Sequence, residues 1–132
     1  MCFLGVDIGG TSVRSLVTDA GGKILGYQRI ARVSHESLWQ AINDCLGTVL
    51  AQSSVVHVEA AVVGAAGAGP TGNHDVCQSV EKAFRAVGLD VTPQVVTDIE
   101  IAYWSAAVLG DGSILVAGTG AIACLLYTSD AA

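Results

Sequence analysis

Two turns in the sequence have residues that could hold a phosphate group. In the first, DIGGTSVR at 7–14, an apolar run reaches Asp7 and is followed by Gly9, Gly10 and Thr11. Successive N–H groups of such residues can form an anion-binding nest, and glycine lets the backbone approach a ligand closely. The Asp7 carboxylate could hold Mg²⁺ through water. An ordinary hairpin turn uses the same residue types, so this segment alone leaves both interpretations open.

The second turn, AGTGA at 117–121, repeats this arrangement. An apolar run again meets Gly118, Thr119 and Gly120, which supply two flexible positions and a hydroxyl group. Two such turns at comparable strand ends could hold the β- and γ-phosphates of a nucleotide from both sides. A plain hairpin is again the structural alternative.

Asp98 lies between a β-branched run and an apolar helical segment in VVTDIEIAYW. A carboxylate at this point could be the general base that takes a proton from an attacking hydroxyl. Phosphoryl transfer needs such a base, together with positioning and charge neutralisation. Helices often begin with Asp as the N-cap, which is the structural alternative.

The segment GAAGAGP at 64–70 has almost no side chains. A sugar could lie against its backbone. A flexible connection between two elements would have the same composition.

The elements that must position these residues follow from the hydrophobic pattern. Three strands joined by short turns predict an antiparallel meander, and alternating helices and strands after it predict crossovers. The sequence therefore predicts an α/β fold with a mixed five-stranded sheet in the order β-β-β-α-β-α-β-α, with helices on both faces, followed by one more strand. The predicted strands are 2–8, 13–18, 23–31, 58–63, 94–97 and 113–117, and the predicted helices are 37–52, 73–87 and 99–109.

Composition limits the class of protein. Of the 132 residues, 52% are hydrophobic and 14% charged, which favours a globular domain with a buried core over a disordered chain. The net charge of −6 argues against nucleic acid or an anionic membrane as a partner. The four cysteines are scattered, which favours buried thiols in a reducing compartment over a metal site. No signal-peptide pattern is found at the start of the chain, so we expect a cytoplasmic protein.

Taken in order, four segments resemble one family. GVDIGGTSVRSLVTD, GAAGAGP, VVTDIEIAYWSA and ILVAGTGAIA are similar to motifs of the N-acetylglucosamine kinase group of the BadF/BadG/BcrA/BcrD ATPase family. That family belongs to the actin–hexokinase–Hsp70 superfamily, whose domains have an RNase H-like fold. The resemblance covers about residues 1–123. It implies ATP and Mg²⁺ as cofactors and a small sugar as substrate, and it is compatible with a homodimer of the full-length protein.

The resemblance also implies residue roles. Gly9, Gly10 and Thr11 would be the first phosphate motif, with Asp7 as the metal-binding carboxylate and Asp98 as the base. Gly118, Thr119 and Gly120 would be the second phosphate motif. Ala66 and Gly67 would bind the sugar.

The sequence departs from the family pattern at two positions and in one segment. Ile8 replaces a glycine, as in the related ROK sugar kinases, and Ala121 stands where serine is usual. The segment VSHESLW lacks the asparagine that amino-sugar kinases place after the third strand. The absence of a GTGxGxG turn and of a zinc-binding cysteine cluster argues against a ROK kinase.

The family pattern divides the chain into three parts. Residues 1–110 would be the first ATPase domain, and 111–123 would be the start of a second domain that is truncated. Residues 124–132, CLLYTSDAA, match the translation of a transposon-end sequencing adapter, so we expect an artefact there and a natural chain that continues past Ala123. A native C-terminus is the alternative.

The function predicted from the sequence is ATP-dependent phosphorylation of a sugar hydroxyl, with N-acetylglucosamine or a related amino sugar as substrate. We expect the fragment itself to be inactive. One alternative is an ATPase activator of the 2-hydroxyacyl-CoA dehydratase or benzoyl-CoA reductase type. A non-catalytic sugar- or nucleotide-binding module is the other.

Overall fold

A computed structural model of the chain describes residues 1–33, 36–68 and 74–106, together with the backbone of two later strands. The elements follow one another as a meander of three strands, then alternating helices and strands, then a hairpin. In chain order they are β1 (Cys2–Ile8), β2 (Ser12–Asp19), β3 (Ile24–Ala31), α1 (Leu38–Ser53), β4 (Ala60–Ala65), α2 (His74–Ala86), β5 (Gln94–Thr97), α3 (Asp98–Ala106), β6 (Gly112–Ala117) and β7 (Ala121–Leu126).

The first five strands form one mixed sheet in the order β3-β2-β1-β4-β5. β1 pairs antiparallel with β2, and β2 pairs antiparallel with β3. β4 and β5 join in parallel on the other side of β1. This arrangement follows from the connections, since short turns join antiparallel neighbours and helical crossovers join parallel ones.

α1 and α2 cover one face of the sheet. Alternate β1 residues, Leu4, Val6 and Ile8, point to that face and are buried. The helices bury apolar stripes that recur every three to four residues, as amphipathic helices do. The stripe of α1 consists of Ala41, Ile42, Cys45, Leu46 and Val49, and that of α2 consists of Val76, Val80, Ala83 and Phe84.

α3 packs on the opposite face, where it contacts β4, β5 and β1. Gly64 of β4 makes this packing close. A Cβ atom at Gly64 would lie 2.9 Å from the Cβ of Ile101 and nearer still to its Cγ2. Because Gly64 has no side chain, the first turn of α3 packs directly on the sheet at this position.

The predicted mixed sheet, the element order and the placement of helices on both faces are confirmed. β5 has its predicted bounds, whereas β4 lies two residues later than predicted, and α3 begins at Asp98 instead of residue 99. β6 and β7 form a separate two-stranded sheet, and β7 runs into the segment predicted to be an artefact. The domain boundaries and the origin of that segment stay predictions. None of the helices within the described ranges is long and apolar enough to span a bilayer.

Candidate active site

Three of the predicted site segments meet at one edge of the sheet. In the parallel part of the sheet, Ile8 pairs with Ala65, and Ala65 pairs with Thr97. Each of these residues is the last of its strand. Since parallel strands in register end at the same edge, the residues that come next lie side by side there. Those residues are Gly9, Ala66 and Asp98.

The first glycine turn leaves backbone donors exposed. The Gly9 N–H donates to the Ser12 carbonyl at 2.9 Å, which closes the turn between β1 and β2. Within the described part of the chain, the N–H groups of Gly10 and Thr11 have no acceptor, and both residues are exposed. Adjacent unpaired N–H groups at the edge of the sheet can bind an anion, as the sequence predicted for this turn.

Arg32 contacts this turn from the end of β3. Its Nη1 donates to the Gly9 carbonyl at 3.1 Å, and its backbone N–H donates to the Thr11 carbonyl at 2.8 Å. The sequence analysis missed this residue. No local pattern would have found it, because the contact exists only once β3 is paired beside the turn.

Asp7 lies at the end of β1 and forms a cross-strand ion pair with Arg14 of β2. The Arg14 Nη1 lies 3.8 Å from the Asp7 Oδ2, and the two side chains are 51% and 43% exposed respectively. A long, solvated pair of this kind is weak. The Asp7 carboxylate is therefore accessible at the same edge as the glycine turn.

The chemistry of Asp7 fits a water-mediated Mg²⁺ ion better than a protein-held one. In the described ranges, no three His, Cys, Asp or Glu side chains come together as a metal cluster. Mg²⁺ keeps several waters and is commonly held by one or two carboxylates and by substrate phosphates. A single accessible carboxylate next to an anion-binding turn meets that requirement.

Ala66 and Gly67 form a tight turn directly after β4. The Ala68 N–H donates to the Ala65 carbonyl at 3.2 Å, and Gly67 has a φ of +78°. A positive φ at the third position is the mark of a type II turn, which favours glycine there. Both Ala66 and Gly67 are exposed, so their backbone is open to a ligand from the side of Asp98.

The N-terminus of α3 is capped by Thr97 and Glu100, not by Asp98. The Glu100 Oε2 accepts from the backbone N–H and the hydroxyl of Thr97, both at 2.9 Å. The Glu100 N–H donates to the Thr97 hydroxyl oxygen at 3.1 Å. This is a reciprocal capping box, and its T-x-x-E signature is readable in TDIE of the sequence. The sequence analysis did not use that signal.

Because Thr97 and Glu100 cap α3, Asp98 is not the N-cap that the sequence analysis gave as the structural alternative. Among the described residues, the Asp98 Oδ1 accepts only from the N–H of the next residue, Ile99, at 3.0 Å. Asp98 is partly exposed, and within the described ranges its carboxylate holds no other element in place. A carboxylate in this position can accept a proton from a ligand at the edge of the sheet.

The second glycine turn of the sequence analysis, Gly118, Thr119 and Gly120, lies outside the described residues. The strands on either side of it, β6 and β7, pair antiparallel from Ala117↔Ala121 to Gly112↔Leu126. Its predicted phosphate-binding role stays a prediction.

The solved structures that superpose on this chain include several sugar kinases. A candidate N-acetylglucosamine kinase from Porphyromonas gingivalis superposes with a TM-score of 0.71 at 20% identity, covering 95% of this chain and 44% of that one. A candidate N-acetylglucosamine kinase from Chromobacterium violaceum gives 0.64 at 25% identity, with 96% and 45% covered. A ROK family glucokinase from Streptomyces griseus, solved with glucose and AMPPNP, gives 0.62 at 26% identity, with 96% and 45% covered.

The chain spans less than half the length of these three neighbours. No family model matches the sequence, and no curated protein matches it. The predicted actin-like ATPase fold and the resemblance to sugar kinases are confirmed by the structural neighbours. The neighbours include both amino-sugar kinases and a ROK glucokinase at similar identity, so the fold does not separate the two groups.

Proposed function

We propose that this chain is the N-terminal half of an ATP-dependent carbohydrate kinase that phosphorylates a hydroxyl group of an amino sugar, with N-acetylglucosamine as the first candidate. The observation that carries the proposal is the register of β1, β4 and β5. It brings the glycine turn after β1, the turn after β4 and Asp98 to one edge of the sheet.

Each of these groups has a part in phosphoryl transfer. The N–H groups of Gly10 and Thr11 bind a phosphate of ATP, and the backbone at Ala66 and Gly67 lies against the sugar. Asp98 accepts the proton of the attacking hydroxyl. Asp7 would hold Mg²⁺ through water, and the ion would supply neutralisation of the phosphate charge.

The proposed kinase needs a second domain. Residues 111–123 are the start of this second domain, which forms the other half of the cleft. Its turn at Gly118, Thr119 and Gly120 holds the phosphates from the opposite side. Closure of the two halves excludes water and limits ATP hydrolysis. We propose that residues 124–132 come from a sequencing adapter and that the 132-residue chain alone does not turn over.

The test begins with the source DNA. Sequencing past the codon of Ala123 from a library made without transposon adapters gives the complete reading frame. The complete protein is then incubated with ATP and a panel of sugars, and ADP and sugar phosphate are measured together. We expect equal amounts of both products with an amino sugar and little ADP without one.

Other outcomes contradict the proposal in distinct ways. ATP hydrolysis that no sugar stimulates points to the ATPase activator. Sugar or nucleotide binding without turnover points to a binding module. A reading frame that ends at Ala132 rules out the two-domain kinase for this chain.

A further inference from the structure

Arg32 is the one side chain of the described residues that hydrogen-bonds to the backbone of the first glycine turn. It immediately follows β3, and its guanidinium is partly buried. Two carbonyl groups of the turn are bound by this residue, that of Gly9 by the side chain and that of Thr11 by the main chain. The turn is thus held from outside its own hairpin, by a strand that is not adjacent to β1.

Binding of these carbonyl groups determines the direction of the neighbouring N–H groups. In a trans peptide, the C=O of one residue and the N–H of the next lie in one plane and point in opposite directions. A Gly9 carbonyl directed at Arg32 therefore directs the Gly10 N–H away from it. The same relation links the Thr11 carbonyl to the Ser12 N–H.

We propose that Arg32 is a positioning residue of the anion-binding turn: by holding the Gly9 carbonyl, it keeps the Gly10 N–H turned outward for a phosphate, and by holding the Gly9 and Thr11 carbonyls together it fixes the shape of the turn between them. The identity of that phosphate, a nucleotide phosphate, rests on the proposed function. The orientation of the turn does not.

An arginine suits this task better than a lysine. The planar guanidinium presents several donors in a rigid arrangement, so one N–H can hold a carbonyl while the charge stays near the anion site. A lysine at the same position keeps the charge and loses this geometry. Because glycines at 9 and 10 restrain the backbone weakly, the turn depends on an external contact for its shape.

The experiment compares the complete protein with its R32A, R32K and R29A variants. Arg29 is the matched control, because it is an exposed arginine of β3 whose loss removes the same charge from the same strand. Backbone ¹⁵N order parameters and amide exchange rates are measured for Gly9, Gly10 and Thr11. Amide shifts of these residues are then followed during titration with Mg²⁺ and AMPPNP.

We expect the order parameters of the turn to fall in R32A from values typical of rigid backbone, about 0.85, to below about 0.6. The R29A variant should keep the wild-type values. We expect nucleotide binding to weaken by about tenfold in R32A, the effect of one lost charge-assisted hydrogen bond, and R32K to recover part of it.

The two proposals fail in different ways. Unchanged order parameters and exchange rates in R32A overturn the positioning role of Arg32, whatever the ligand does. A complete wild-type protein whose Gly10 and Thr11 amides do not shift with AMPPNP counts against the nucleotide site of the proposed function. In that case the order parameters still decide the role of Arg32. Equal losses of binding in R32A and R29A would show a general charge effect and overturn the proposal.

Discussion

Ile101 of α3 lies directly on the backbone of Gly64 in β4. A single added methyl group at Gly64 would overlap the Ile101 side chain. Asp98 begins the same helix one turn earlier, so the distance between this helix and the sheet also sets where the Asp98 carboxylate stands. The Gly64–Ile101 contact thus links the packing of the core to the candidate base.

Substitution of Gly64 by alanine should displace α3. We expect overpacking to lower the free energy of unfolding by about 1–3 kcal/mol. The control is Gly5→Ala, since a Cβ at Gly5 of neighbouring β1 meets no atom within 4 Å. Urea denaturation of both variants measures the difference. Equal stability of the two variants would contradict the close packing of Ile101 on Gly64.

The capping box at α3 should contribute to stability independently of any ligand. Thr97→Ala removes the hydroxyl that accepts from Glu100 and donates to its carboxylate. Loss of such a cap costs about 0.5–2 kcal/mol. Thr92→Ala, at an exposed threonine before β5, is the control. Urea denaturation should separate the two variants, and a Thr97→Ala variant as stable as the control would argue against the cap.

The turn at Gly67 should tolerate no side chain without strain. Its φ of +78° is in the left-handed region, so Gly67→Ala should lower the free energy of unfolding by about 1 kcal/mol. Gly47→Ala should do the opposite, because Gly47 is an exposed residue inside α1 where alanine is favoured by about 0.5–1 kcal/mol. Thermal denaturation of both variants shows whether each substitution raises or lowers stability. A stabilised Gly67→Ala variant would contradict the turn geometry.

Cys45 should make stability depend on pH in the alkaline range. Burial raises the pKa of its thiol above the ordinary 9.0, and the hydrogen bond with Ser15 only partly offsets this. The folded protein therefore keeps the thiol proton at a pH where the unfolded chain loses it. This contribution to stability is full well below the pKa of the thiol in the unfolded chain, about 8.5, and is lost as the pH rises through the folded pKa, by at most about 1.4 kcal/mol per pH unit.

Urea denaturation between pH 8 and 10 tests this dependence. In the Cys45→Ala variant, the free energy of unfolding should fall less steeply with rising pH than in the wild type. Its stability is lower at every pH, because a core side chain is truncated. Cys77→Ala, at a partly exposed cysteine of α2, should keep the wild-type slope. Identical slopes in the two variants would exclude Cys45 as the source.

Local pattern was enough to predict most of the fold. The apolar run of β1 and the stripes of α1 and α2 identified these elements, and the short turns identified the meander. β4 was placed two residues early because Gly64 and Ala65 read as loop residues, whereas Gly64 belongs to the strand and allows α3 to approach. That requirement comes from tertiary packing, which local propensity does not contain.

The candidate site was predictable only in part. Asp7, Gly9 and Asp98 could be chosen from the sequence because each lies at or directly after the end of a predicted strand. The sequence does not predict the ion pair of Asp7 with Arg14 or the contact of Arg32 with Gly9. Both depend on the register in which β1, β2 and β3 pair. The TDIE cap was readable locally and would have shown that Asp98 is not needed to cap α3.

The most direct test of the proposed kinase is the rate of phosphoryl transfer in a single turnover of the complete protein carrying Asp98→Asn. We expect the variant to bind AMPPNP as the wild type does and to transfer phosphate about 10²–10⁴-fold more slowly, because the base is lost. Glu100→Gln, which keeps a capping side chain and removes a charge two residues away, should stay near the wild-type rate. Near-normal transfer by the Asp98→Asn variant would contradict the account.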